Sequence, residues 1–268
     1  MAFKAVDVRD ALDSALVALR AAGVDTPRLD AEVLLADALG VTRSELLTRD
    51  LVVEGDAIRR FQDAVRRRAV GREPVAYITG RRAFRRLELH VDRRVLVPRP
   101  ETELLVELAV AALPHGARVV DVGTGSGAVA LALADERPDL RVTGSDISAD
   151  ALQVARANGG RLGLGVDWVL ADGVPPGDWD AVVANLPYVA EGDALPPEIA
   201  RHEPPGALFA GADGLDVLRA LDLRAAWVAL EHGASQGAAV RAALRGYDVT
   251  THRDLAGHER VTVGVGRG

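Results

Sequence analysis

Apolar positions in the N-terminal part of the chain recur every three or four residues. Val8, Leu12, Leu16 and Leu19 fall on one helical face, and Gly23 ends the run. A second helix is predicted from Thr26-Pro27, where proline in the first turn gives up an N–H that would be unpaired anyway. It carries Leu29, Val33, Leu34 and Ala38 up to Gly40. A third follows Asp56, with Ile58, Phe61 and Val65 on one side. Short helices with small apolar faces bury them against one another, so this part is expected to form a compact bundle. From Ala83 to Val97 the period drops to two. Leu87, Leu89 and Val91 alternate with Glu88, His90 and Asp92, which predicts a β-hairpin.

After Pro100 the pattern becomes alternating α/β. A helix is predicted over Glu101 to Leu113, a buried strand over Arg118 to Val122, and a helix over Ala128 to Ala134, stopped by Pro138. A strand at Arg141 to Ser145 and a helix at Ala149 to Asn158 follow. Further strands are predicted at Val166 to Leu170, Ala181 to Ala184, Trp227 to Leu230, Tyr247 to Thr251 and Arg260 to Val265. Strands alternating with helices imply a mostly parallel sheet covered on both faces. The last two strands, joined by a short polar link, read as an antiparallel edge. The expectation is an α/β fold with a seven-stranded sheet, divided as residues 1–80 helical, 81–98 a β-hairpin linker and 99–268 the sheet domain.

Composition narrows the class. Charged residues interrupt every apolar stretch well short of the ~18 needed to span a bilayer, so a membrane role is not expected. The first ten residues have no apolar core of the kind a secretory leader requires. The absence of cysteine excludes disulfides and thiolate metal sites and is compatible with a cytoplasmic location. A net charge of -7 argues against the overall basicity of a nucleic-acid binder. Arginines nevertheless crowd between Arg59 and Arg99, either as a solvated surface or as a docking face for an acidic partner. The six histidines do not cluster, and no metal site is expected; His232 beside Glu231 lacks a second ligand at helical spacing.

Candidate chemistry begins at the end of the first sheet strand. Asp121-Val122-Gly123-Thr124-Gly125-Ser126-Gly127 joins a strand to a helix, where glycine permits a tight turn and the helix N-terminus offers unpaired N–H groups. The third glycine comes one residue earlier than in the dinucleotide fingerprint. Asp146, with Ile147 after it, ends the next strand, placed to bond a ribose, and Asp172 with Gly173 follows the third, placed to receive an adenine amino group. Each aspartate alone could simply cap the next helix. Together they point to a nucleoside ligand at the carboxyl edge of one sheet.

The fourth strand ends in Asn185-Leu186-Pro187-Tyr188. An amide or exocyclic amine nitrogen is a poor nucleophile because its lone pair is delocalised. The Asn185 side-chain oxygen and the Leu186 carbonyl could accept its two hydrogens and favour electron density moving toward an incoming methyl group. Tyr188 could pack on a flat amide or base. Pro187 keeps Leu186 out of the helical region. The same tetrapeptide would also serve as an ordinary turn after a strand.

On these residues the chain resembles the HemK/PrmC family, the glutamine-N5 methyltransferases of peptide release factors. The resemblance extends to Glu73-Pro74-Val75-Ala76-Tyr77-Ile78-Thr79-Gly80, to Val97-Pro98-Arg99-Pro100-Glu101-Thr102-Glu103, to His202-Glu203-Pro204 and Gly211 to Asp216, and to Glu231-His232-Gly233 with Gln236-Gly237. It implies a Rossmann-like class I methyltransferase domain behind a small helical domain that grips the substrate. The implied cofactor is S-adenosyl-L-methionine, held at Asp121, Gly123 to Gly127, Asp146, Ile147, Asp172, Gly173 and Asn185. The implied substrate is the glutamine of the release factor's Gly-Gly-Gln loop, met by Asn185 to Tyr188 with Arg99 and Glu101, and nucleic acid is not expected as the direct substrate. Leu186 stands where the family usually has proline. The Asn-Leu-Pro-Tyr form also resembles adenine dimethyltransferases of ribosomal RNA, which keeps adenine-N6 methylation of RNA open as an alternative. A divergent cofactor-binding paralogue with another protein substrate is the other.

Overall fold

A computed structural model describes residues 5–267. The start of the N-terminal stretch read above as lacking a leader, residues 1–4, lies outside the described residues. The chain divides into two compact units, Met1–Gly80 with Leu195–His202, and Arg81–Ala194 with Glu203–Gly268.

The first unit contains β1 (Val6–Asp7), α1 (Val8–Ala21), α2 (Pro27–Leu39), α3 (Arg43–Thr48), β2 (Val52–Val53), α4 (Gly55–Ala69) and α5 (Val75–Thr79). Ala15, Leu19, Leu34, Leu35, Ile58 and Phe61 belong to its core. The three predicted helices are present, and α3, α5 and the two-stranded ladder were not foreseen. The face assigned to α2 also needs correction. Leu29 is 45% exposed, whereas Asp30 and Glu32 are buried. The cause is ion pairing. Asp30 bonds Arg68 at 2.6 Å, and Glu32 bonds Arg28 and Arg43 at 2.9 and 2.8 Å. Satisfied carboxylates can sit where an apolar pattern expects leucine. The excursion Leu195–His202 is fastened to this unit by Glu198, which pairs with both Arg68 and Arg72, and by a His202 ring contact to the Gly71 carbonyl at 2.7 Å.

The second unit begins with a hairpin, β3 (Arg81–Phe84) and β4 (Leu87–His90), shorter than the predicted span. A single 3-10 turn at Pro100–Thr102 leads into α6 (Glu103–Ala112). Then come β5 (Arg118–Val122), α7 (Ala128–Glu136), β6 (Arg141–Asp146), α8 (Ala149–Leu162), β7 (Asp167–Leu170) and β8 (Ala181–Ala184). After α9 (Pro197–Ala200), which lies in the excursion, follow α10 (Asp216–Arg219), β9 (Trp227–Glu231), α11 (Gly237–Ala243), β10 (Tyr247–Arg253) and β11 (Glu259–Gly266).

Seven strands form one sheet in the order β10-β11-β9-β8-β5-β6-β7. Pairings among β5 to β9 are parallel, and only β11 runs against the rest. Both faces are covered, as the strand sequences require. Val119, Ala181, Val183 and Ala229 belong to one core, Val120, Val122, Val182, Ala184, Val228 and Leu230 to the other. The chain winds from β5 outward to β7, then returns to place β8 on the other side of β5. The carboxyl ends of β5 and β8 therefore flank the point where strand order reverses, where open α/β sheets bind ligands.

Candidate active site

The turn after β5 is built on three glycines in left-handed backbone, Gly123, Gly125 and Gly127, at φ 72°, 56° and 82°. A side chain at Gly127 would strike Trp168 and Leu131 within 3.0 Å, so helix α7, the β6–β7 edge and the turn close on one another there. At Gly125 the nearest atom to such a Cβ is the Gly123 carbonyl at 4.0 Å, so its outer surface is open. Asp121, Thr124 and Ser126 lie under the turn, 2%, 6% and 3% exposed. Asp121 accepts from the Thr124 hydroxyl at 2.6 Å and from the Ala130 N–H at 3.2 Å, bracing the turn to the first helical residues. Burial pushes the Asp121 carboxyl up to about 7.

Asp146 ends β6 beside the turn, accepting from the Gly125 N–H and the Ser148 N–H, each at 2.9 Å. It thus ties down the glycine loop and braces Ser148, the residue that caps α8. Ile147 is 70% exposed, and Leu170, paired with Asp146 across the ladder, is 60% exposed. Two exposed apolar side chains at adjacent strand ends offer a flat hydrophobic contact. Leu170 was not singled out from sequence. Asp172 is exposed beyond the end of β7, next to Gly173 at φ 79°.

At the end of β8 Asn185 is half-buried, and its Nδ2 donates to the Thr102 hydroxyl at 2.9 Å. Leu186 is 8% exposed, packed in the core against the Gly123 backbone. Only its main chain remains for the site. Among the described residues nothing donates to the Asn185 Oδ1 or to the Leu186 carbonyl. The Tyr188 carbonyl accepts from the Gln236 amide at 2.9 Å, and Val189 pairs with Leu208 and Ala210, so the tetrapeptide is held at both ends. Burial and the Glu231 charge raise the Tyr188 phenol, which stays protonated at neutral pH.

Arg99 does not pair with its near neighbour in sequence, Glu101. It reaches Glu203 at 2.6 Å, a carboxylate buried to 4% exposure that also faces the Val97 N–H. Glu101 is exposed on the 3-10 turn. His232 is fully buried, with Nδ1 on the Gly233 carbonyl and Nε2 on the Thr262 hydroxyl, both at 2.9 Å. A carbonyl only accepts, so Nδ1 carries the proton and the ring is a neutral structural bridge. Among the described residues no three His, Asp or Glu side chains are grouped to hold a metal ion. The arginines between Arg59 and Arg99 divide: Arg59, Arg60, Arg66, Arg81, Arg86 and Arg93 are exposed, while others pair within the chain. Arg67, Arg68, Arg72, Arg85, Arg94 and Arg99 are all spent on carboxylates of this chain.

Comparison with known proteins agrees with this geometry. Residues 10–80 match the PrmC N-terminal domain, and residues 100–202 the methyltransferase small domain. Release factor glutamine methyltransferase of Vibrio cholerae is 42% identical over 97% of this chain and 96% of its own length. The protein of that name from Mycolicibacterium smegmatis is 42% identical over 94% and 95%. The chain belongs to the PrmC family of release factor glutamine methyltransferases. It is accordingly an S-adenosylmethionine-dependent methyltransferase with a Rossmann-like class I fold. The fold is also that of the hMettl16 catalytic domain, solved with the MAT2A 3'UTR hairpin 6, at TM-score 0.53 and 14% identity over 82% of this chain and 86% of that one. The open glycine turn, the strand-end carboxylates and the exposed Ile147 fit the cofactor of that family. No helix among the described residues is long and apolar enough to cross a membrane.

Proposed function

We propose that this chain methylates the N5 side-chain nitrogen of the glutamine in the Gly-Gly-Gln loop of a peptide chain release factor, in the cytoplasm where translation terminates. The observation that carries the reading is the pair of unspent acceptors at the end of β8, the Asn185 Oδ1 and the Leu186 carbonyl. A primary amide presents two N–H donors on one nitrogen, and two adjacent acceptors match it.

Held this way, the nitrogen is fixed in position, and its hydrogens are polarised toward oxygen, which favours density on nitrogen as the new bond forms. S-adenosylmethionine, when bound, supplies a methyl group made electrophilic by a positive sulfur. The Gly123 to Gly127 turn with Asp146, Ile147, Asp172 and Gly173 would hold it, and Asp121, Thr124 and Ser126 shape that turn from below. Tyr188, fixed through its carbonyl by Gln236, would supply a flat wall, with Arg99 and Glu101 as further substrate contacts.

The test is transfer of labelled methyl from the cofactor to a purified release factor. One peptide should carry the label, and a release factor with alanine in place of the Gly-Gly-Gln glutamine should take up none. Label entering naked ribosomal RNA instead, in a reaction that weakens steeply with salt, would overturn the substrate assignment. Asn185→Ala should lower turnover by ~10²-fold, as loss of one transition-state partner does, with cofactor affinity within a few-fold. Asp146→Ala should mainly weaken cofactor binding.

A further inference from the structure

Gln236 stands at the start of α11, where helices favour Ser, Thr, Asp or Asn, yet its side chain makes no cap bond to that helix. It reaches away instead. Its Nε2 donates to the Tyr188 carbonyl at 2.9 Å and to the Asp213 carbonyl at 3.1 Å, with the Gly214 carbonyl at 3.5 Å. Its Oε1 accepts from the Gly233 N–H at 2.8 Å. Carbonyls only accept and an N–H only donates, so these partners hold the amide one way round. Two glycines make room for it. A Cβ at Gly214, in left-handed backbone at φ 74°, would fall on the Tyr188 carbonyl and 2.8 Å from Nε2, and one at Gly233 would lie 2.9 Å from Oε1.

What the amide holds is the part of the site with least support of its own. Among the described residues, the bond from Gln236 is the only one made by the main chain from Asn185 to Tyr188. Pro187 has no N–H to give, and its ring fixes one of the torsions between the Leu186 and Tyr188 carbonyls. With that torsion locked, holding the second carbonyl narrows the directions open to the first. The loop that supplies Asp213 and Gly214 is laced to the chain just past the tetrapeptide. The Val189 N–H donates to the Leu208 carbonyl at 2.9 Å, and the Ala210 N–H to the Val189 carbonyl at 3.0 Å. We propose that Gln236 is a positioning residue of the methyl-transfer site: it clamps the Tyr188 carbonyl to the loop before α10 and so aims the Leu186 carbonyl at the substrate amide. This rests on the proposed role of that carbonyl as acceptor for a substrate N–H.

The chemistry of the position calls for a primary amide. Carbonyl oxygens from two segments converge on one nitrogen and need a group with two hydrogens, while the Gly233 N–H needs an acceptor beside it. A carboxylate of the same shape would keep the Gly233 bond and turn lone pairs on the carbonyls. A thioether of similar length would fill the space with no donor and only a weak acceptor. These two replacements separate the clamp from packing and from the bond to Gly233.

The experiment uses the full chain and the variants Gln236→Glu and Gln236→Met, each checked for folding by thermal melt and for cofactor affinity by titration. Misplacing a reacting group by about 1 Å costs roughly 10²-fold in rate. Gln236→Met should therefore lower kcat on a release factor by roughly ten- to a hundredfold, and Gln236→Glu by at least as much. Melting temperature, cofactor affinity and KM should change little. If Gln236→Glu does not fold, Gln236→Met decides. Wild-type kcat in Gln236→Glu would overturn the clamp, because that variant keeps both the space and the Gly233 bond. So would a loss of kcat that merely follows lost folding or lost cofactor affinity. Tyrosine labelled with carbon-13 at the carbonyl gives three NMR lines, one per tyrosine of the chain, and Tyr188→Phe identifies the line of interest. That line should move in both variants. If the unaltered chain methylates no release factor, the function reading fails and this line decides the clamp by itself. A Tyr188 carbonyl shifted in Gln236→Met supports it, and one that stays in place refutes it.

Discussion

Asp121 makes a thermodynamic prediction that needs neither substrate nor cofactor. It is 2% exposed, accepts from Thr124 and Ala130, and is raised from 3.8 to about 7 because burial outweighs those two hydrogen bonds. The native state then binds this proton more tightly than the unfolded chain does. The stability it contributes is fully present below the unfolded pKa, is lost as pH climbs from about 4 to about 7, and is flat above. About three pH units at ~1.4 kcal/mol each set an upper bound of ~4 kcal/mol. Asp92, lowered to about 2 by Arg94, belongs to a different window, since its contribution disappears only in stronger acid. Asn at position 121 imitates the protonated form. Urea unfolding of Asp121→Asn and the unaltered chain at matched ionic strength should give a stability difference that grows by about 1 kcal/mol per pH unit from pH 5 to 7, then levels. Two stability curves that stay parallel across that range would mean the carboxylate is charged throughout, and the account of the turn as braced by a neutral acid would fail.

Two further substitutions test the packing. Gly127→Ala places a Cβ 2.9 Å from Trp168 and 3.0 Å from Leu131 in left-handed backbone, so it should destabilise by ~2–5 kcal/mol from strain and overpacking together; an unchanged urea midpoint would refute the close approach. Arg68→Ala leaves the buried Asp30 carboxylate without its 2.6 Å partner and should cost ~3–5 kcal/mol in the helical unit, whereas Arg66→Ala, at an exposed pair, should cost ~1 kcal/mol or less. All three tryptophans lie beyond residue 160, so far-UV circular dichroism is the measurement for this unit, and equal losses in the two variants would sink the distinction.

The sheet was legible because buried parallel strands are continuous apolar runs, and Arg118 to Val122 and Ala181 to Ala184 could hardly be anything else. What escaped was too short to show a period. Helix α3 has six residues and α5 five, less than two turns each. Their signals were local rather than periodic. Thr42 and Glu45 form a reciprocal capping box, and Gly80 closes α5 in left-handed backbone at φ 69°. The α2 face was misjudged for a different reason. Asp30 and Glu32 are buried because arginines from elsewhere in the chain reach them, and no window on α2 contains Arg43 or Arg68. The arginine crowding is the same effect seen from the other side: a sequence counts charges but not their partners.

The site divides along a similar line. The glycine turn and the Asn185 tetrapeptide were legible because backbone conformation and strand position require those residue types. Thr102 and Gln236 were visible only as members of motifs, since nothing local gives either a task. They meet the tetrapeptide because the 3-10 turn before α6 carries Thr102, 83 residues upstream, to Asn185, while β9 lies beside β8 and the chain beyond it carries Gln236 to Tyr188.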